Sequence, residues 1–184
     1  MEVRYGFKRN TEEIVAVNCP LFVYIVAGLS GICAAYHLQT MCPEKTYAVL
    51  ESREVLGGTW DLFRYPGIRS DSSMTTLGYG FNPWLDTRTI AHGSTILTYL
   101  RSTAIKFGID KHIRYSQRVV RASWSSAEGK YTVEVQHSGG ETRFYSVGFL
   151  FMCTGYYDYD LPYTPPEFDS LGGGSLGDFK GKVI

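Results

Sequence analysis

The hydrophobic pattern is densest over residues 21–38, eighteen positions without a formal charge. Its first part, Val23-Tyr-Ile-Val-Ala27, is a continuous apolar run of strand length, and Gly28 and Gly31 follow where a strand would turn into a helix. The pattern predicts a buried strand, a glycine turn and a helix running to about Leu38. Cys42-Pro-Glu-Lys45 reads as a turn, and Thr46-Tyr-Ala-Val-Leu-Glu51 as a second strand, β-branched and aromatic, ending in an acid. Strand, helix and strand at this spacing form a βαβ unit, with parallel pairing and a right-handed crossover.

Beyond Ser52 the periodicity stops. Residues 52–93 mix glycines, prolines and aromatics without a helical or strand period, which predicts a long ordered loop with short turns, a kind of segment that is usually functional in a compact domain. Ser94 reads as the N-cap of a helix over residues 95–107, with Ile96, Leu97, Leu100, Ala104 and Phe107 on one face and Gly108 as its stop. Residues 118–124, 131–135 and 142–147, separated by turns around Gly129 and Gly139-Gly140, predict an antiparallel three-stranded meander. Phe149-Leu-Phe-Met-Cys153 is wholly apolar, as expected of a strand at the centre of the parallel sheet, and Thr154-Gly155 closes it. The expected fold class is α/β: a parallel sheet with helices and an antiparallel meander. Residues 1–20 read as a leader of unclear structure, 21–155 as the domain, and 156–184, rich in Tyr, Pro and Gly, as a linker leaving it.

Composition narrows the function. A chain of 184 residues buries one sizeable core, or one domain and the start of another. Lys+Arg and Asp+Glu balance at 18 each, so the chain has no electrostatic footprint for nucleic acid or an anionic membrane, and a shaped site for small molecules is expected instead. Residues 21–38, preceded by Arg4, Lys8 and Arg9, approach the length of a signal anchor; Gly28, Ser30, Gly31 and His37 inside the run favour the strand and helix. Cysteines 19, 33, 42 and 153 lack metal-ligand spacing and read as reduced thiols of a cytoplasmic protein. The four histidines are scattered without carboxylate or cysteine neighbours, so no metal site is expected.

The glycine turn carries the chemistry. Backbone N–H groups at a helix N-terminus, with the helix dipole behind them, bind a pyrophosphate without a cationic side chain. In the pattern G-x-G-x-x-G the first glycine makes the tight turn, the second lets the diphosphate approach and the third lets helix and strand pack. Gly28, Ser30 and Gly31 supply the second half of that pattern, but Val26 stands where the first glycine belongs. Either Val26 replaces it or the turn is one residue short. A β-branched residue resists positive φ there, and a shortened turn would misplace the helix N–H groups, so weak binding is expected either way. Glu51, twenty residues after Gly31, stands where a carboxylate can accept both ribose hydroxyls of an unphosphorylated adenosine, which favours FAD or NAD over NADP. Gly57-Gly-Thr-Trp60 reads either as a turn with a packed tryptophan or as a second backbone stretch that approaches the cofactor.

Gly57-Gly-Thr-Trp-Asp-Leu-Phe-Arg-Tyr-Pro-Gly-Ile-Arg-Ser-Asp71 resembles the flavin-binding segment of Baeyer–Villiger flavoprotein monooxygenases, where G-G-T-W is followed by R-Y-P-G and an aspartate. The resemblance implies an N-terminal FAD-binding, Rossmann-like portion of an enzyme reduced by NADPH at a second domain, which oxygenates a ketone or a soft sulfur or nitrogen centre through a C4a-peroxyflavin. It also implies roles: Gly28 and Gly31 at the pyrophosphate, Glu51 at the ribose, Gly58, Thr59 and Trp60 at the flavin half, and Asp71 as the catalytic carboxylate near the isoalloxazine. Read from the residues alone, Asp71 could equally close an Asx-turn among Ser70, Ser72 and Ser73. Val119, with Val120, would line the adenine pocket through backbone groups, or simply fill a meander strand. Tyr156, Tyr157, Tyr159 and Tyr163 read as hinge packing. The family's junction fingerprint, F-x-G-x-x-x-H-x-x-x-W, is matched by Phe179 and Gly181 before the sequence stops at Ile184, so an incomplete domain, inactive alone, is expected, with a missing C-terminal half as its partner. The amine- and sulfide-oxidising branch of the flavin monooxygenases and a non-catalytic flavin- or partner-binding remnant are the alternatives.

Overall fold

The computed structural model describes residues 22–159; the leader reading, Tyr163, Phe179 and Gly181 lie outside the described residues. The chain divides into two compact units, residues 1–154 and 155–184. Of the second only residues 155–159 are described, among them Tyr156, Tyr157 and Tyr159, all exposed.

Four parallel strands form one sheet in the order β3-β2-β1-β7, with β1 at Phe22–Ile25, β2 at Tyr47–Leu50, β3 at Ile113–Arg114 and β7 at Phe149–Met152. β1 pairs in parallel with β2 from Phe22↔Tyr47 to Ile25↔Leu50, and with β7 from Phe22↔Phe149 to Ile25↔Met152. The second sheet is the expected meander, β4 at Gln117–Ser125, β5 at Lys130–His137 and β6 at Thr142–Val147, antiparallel in sequence order.

The β2 side chains explain the layers. All four are buried, and successive ones point to opposite faces. Tyr47 and Val49 join the cluster of Ile32 and Ala35 from α1 (Leu29–Met41) and Ile96, Leu100 and Ala104 from α4 (Gly93–Lys106). Ala48 and Leu50 join Val23 and the meander residues Val133, Val135, Tyr145 and Val147. The parallel sheet is therefore covered by helices on one face and by the meander on the other, which is why its strands read as unbroken apolar runs.

Two expectations need correction, and one short strand was not foreseen. The N-cap of α4 is His92 rather than Ser94, which lies inside the first turn with its carbonyl accepting from Thr98 Oγ1 at 3.0 Å. Gly108 does follow the helix in the left-handed region, φ 68°, as a stop requires. Among the described residues β7 stands at the end of the sheet order rather than at its centre, with Phe151 and Met152 46% and 59% exposed. The two residues of β3 were not anticipated, being too short to carry a period. Among the described residues no helix is long and apolar enough to cross a membrane.

The aperiodic stretch after β2 is organised by aromatic rings and two four-residue helices, α2 (Thr59–Leu62) and α3 (Met74–Leu77). Tyr36 of α1 stacks on Phe81 at 3.6 Å between centroids, Phe81 stacks on Tyr79 at 4.8 Å, and Tyr79 on Tyr99 of α4 at 5.6 Å. Tyr79, 5% exposed, donates its hydroxyl proton to the Leu29 carbonyl at 2.8 Å, and burial pushes its pKa far above the usual phenol range. Tyr79→Phe leaves that carbonyl short of a buried partner and should cost about 1 kcal/mol of stability in a urea unfolding curve.

Candidate cofactor site

The turn between β1 and α1 occupies only three residues. Val26 still belongs to the ladder, its N–H donating to the Leu50 carbonyl at 2.8 Å, yet its φ is 79°. Of the two readings of the missing glycine, the backbone supports substitution in one respect: Val26 adopts the left-handed conformation that a first glycine would take. A β-branched residue there is strained. Gly28 is the N-cap of α1, and a Cβ on Gly31 would lie 2.0 Å from the Val26 carbonyl oxygen, so helix and strand meet at a distance only glycine allows. Ser30 is exposed in the first turn of α1 and makes no N-cap bond.

The second glycine stretch folds onto the first. The Gly57 N–H donates to the Ala27 carbonyl at 3.0 Å. A Cβ built on Gly58 would lie 3.3 Å from the Gly28 Cα. Gly57 and Gly58 have φ of 130° and 53°, and a Cβ on Gly57 would lie 2.4 Å from Leu97 Cδ1 of α4, so this turn too tolerates little but glycine. Two bare backbone stretches thus face each other at the N-terminus of α1, next to the exit of β2. Thr59 and Trp60 open α2 from Gly58, and Trp60 packs partly against the helical core cluster.

Glu51 stands at that exit, 2% exposed, with both carboxylate oxygens engaged. Oε2 accepts the Ala27 N–H at 2.8 Å; Oε1 accepts the Arg53 N–H at 2.9 Å and the Ser52 hydroxyl at 3.3 Å. The expected ribose acceptor therefore also holds the three-residue turn. The Gln117 N–H donates to the Glu51 carbonyl at 2.8 Å, which brings the start of β4, two residues before Val119, to the same corner. The Val119 side chain packs against the meander cluster, and a bulge in the β4–β5 register follows it.

Asp71 is exposed and makes no side-chain hydrogen bond or ion pair among the described residues. The local turn is made by Ser70 instead, whose hydroxyl accepts the Ser72 N–H at 3.1 Å and donates to the Ser72 carbonyl at 2.8 Å; Ser73 caps α3 through Thr75 N–H. The Asx-turn read for Asp71 is therefore not formed, and Ser70 makes the turn in its place. Elsewhere, Cys33, Cys42 and Cys153 are free thiols; burial, with Cys33 nearby, pushes Cys153 up to about 11. No cluster that could hold a metal occurs among the described residues.

One feature escaped the sequence reading. Asp61, 2% exposed, faces three arginines: Arg53 Nη2 in close contact, Arg64 Nη2 at 3.4 Å and Arg101 Nη2 at 3.0 Å. The spacing Arg53, Asp61, Arg64 around Gly57-Gly58 was a visible signal, but Arg101 comes from α4, forty residues away.

Comparison with known proteins gives this corner a context. Residues 27–87 match the NAD(P)-binding Rossmann-like domain family. Over 162 residues, 88% of this chain, the sequence is 55% identical to the FAD-containing monooxygenase EthA of Mycobacterium tuberculosis, of which it covers 32%. Over most of its own length this chain is similar to FAD-containing monooxygenases. It spans about a third of the length of the curated relatives it matches. Among solved structures, an oxidized steroid monooxygenase bound to NADP superposes on this chain with a TM-score of 0.68 and 27% identity, over 79% of this chain and 27% of that one. OTEMO in complex with FAD and NADP superposes with a TM-score of 0.66 and 27% identity, over the same 79% and 27%.

Proposed function

We propose that this chain forms the FAD-holding portion of an NADPH-dependent monooxygenase of the Baeyer–Villiger type. The observation that carries the reading is the approach of Gly58 to Gly28, two backbone stretches stripped of side chains at the N-terminus of a thirteen-residue helix, beside a buried acid. The residues fit the cofactor: Gly28 and Gly31 would hold the diphosphate, Glu51 the adenosine ribose, Gly58, Thr59 and Trp60 the flavin half, and Val119 the adenine edge. Bound there, FAD would supply hydride acceptance and oxygen activation. Asp71, exposed and unpaired, would orient a cationic group beside the flavin.

The small-molecule substrate and the hydride donor NADPH would meet segments within the two thirds of the relatives' length that this chain does not span; a polypeptide carrying them is the expected partner. A cytoplasmic setting suits the free thiols of Cys33, Cys42 and Cys153. The test is titration of the purified chain with FAD, followed by flavin fluorescence. Saturable quenching that Glu51→Ala abolishes is expected; absence of any saturable binding overturns the reading. With FAD, NADPH and a small ketone, NADPH consumption should not exceed the free-flavin rate.

A further inference from the structure

The Asp61 cluster has no part in the roles assigned above, yet it touches the Gly58 turn and, through Arg53, the Glu51 carboxylate. Asp61 sits in α2, a single turn that cannot hold itself, since one helical turn fixes several dihedrals for a single hydrogen bond. What precedes it is the Gly57-Gly58 turn, which has no side chains to pack. Its position therefore has to be set from outside.

Asp61 Oδ1 accepts from Arg101 of α4 at 3.0 Å, and Oδ2 accepts from Arg53 and, at 3.4 Å, from Arg64. Arg53 Nη1 also donates to the Gly58 carbonyl at 3.4 Å, and the Arg53 backbone N–H donates to Glu51 Oε1 at 2.9 Å. Arg64 Nε donates back to the Asp61 carbonyl at 3.0 Å. A continuous chain of charge-assisted bonds thus runs from the Glu51 carboxylate through Arg53 to Asp61 and on to α4, with Gly58 held at its midpoint. Three guanidinium groups face Asp61, and Arg53, 29% exposed, also reaches the Gly58 carbonyl, where an anionic ligand would meet it.

We propose that Asp61 is a positioning residue for the flavin side of the site: through Arg53 and Arg101 it fixes Gly58, Thr59 and Trp60 relative to the α1 turn. The proposal rests on the FAD reading, and the experiment separates the two. ADP and FAD are titrated into the wild-type chain, Asp61→Asn and Arg101→Gln, with thermal unfolding and the induced visible circular dichroism of the flavin recorded for each. Because ADP engages the α1 turn and Glu51 without the flavin half, Asp61→Asn should weaken FAD by about tenfold or more while ADP changes less than about twofold, and should diminish the flavin dichroism. Arg101→Gln, which leaves Asp61 with Arg53 and Arg64, should weaken FAD by about threefold and carries the test if Asp61→Asn does not fold. FAD affinity unchanged in the folded variants, or equal loss of ADP and FAD in step with lost thermal stability, overturns the positioning role. A wild-type chain that binds neither nucleotide overturns the FAD reading and this proposal with it.

Discussion

Gly31→Ala is expected to lower the stability of the chain by at least about 3 kcal/mol, read from urea unfolding, a large share of the roughly 5–15 kcal/mol that a domain commands. The new Cβ would lie 2.0 Å from the Val26 carbonyl oxygen and 3.2 Å from its carbon, both backbone atoms, so no side-chain rotation can make room. Relief has to come from lifting α1 off β1, and that separates Ile32 and Ala35 from Val49 in the same buried cluster. Gly80→Ala is the control: nothing lies within 4 Å of its Cβ position, and its effect should stay within about 0.5 kcal/mol. A Gly31→Ala chain as stable as the control would mean that helix and strand do not meet as described.

That contact was legible in the sequence, because a glycine in the first turn of a helix that follows an apolar strand marks a close helix–strand approach. So was the meander, whose turns at Gly129 and Gly140 are marked by composition and take φ of 62° and 86°. Glu51 was legible by its distance from the glycines, but its second task was not, since the bond to Ala27 depends on how the turn folds back toward the β2 exit. Asp61 was hidden for a different reason. An ion cluster joining positions 53, 61, 64 and 101 depends on how α4 packs against α2, and no local period encodes that approach. The ring stack of Tyr36, Tyr79, Phe81 and Tyr99 gives order to a stretch whose sequence has no period, because stacking depends on where side chains meet and leaves no regular spacing.

The Val26 turn yields the other large expected effect, and two variants divide it into strain and ligand binding. Val26→Gly removes a β-branched side chain from φ 79°, relieving about 2 kcal/mol, while the added freedom of glycine in the unfolded chain returns about 1 kcal/mol, so stability should rise by about 1 kcal/mol. Affinity for FAD should barely move, since the Ala27 N–H would still occupy Glu51 Oε2 at 2.8 Å. Inserting a glycine between Val26 and Ala27 acts on that bond instead. One more residue lets the Ala27 amide swing off the carboxylate and frees Glu51 Oε2 for the proposed ribose contact. If a single charge-assisted hydrogen bond is thereby transferred from the turn to the ligand, FAD affinity should improve by about tenfold. Flavin retention on gel filtration and a fluorescence titration measure this directly. An insertion variant that is folded but holds flavin no better than the original chain would show that the Glu51–Ala27 contact does not compete with the cofactor.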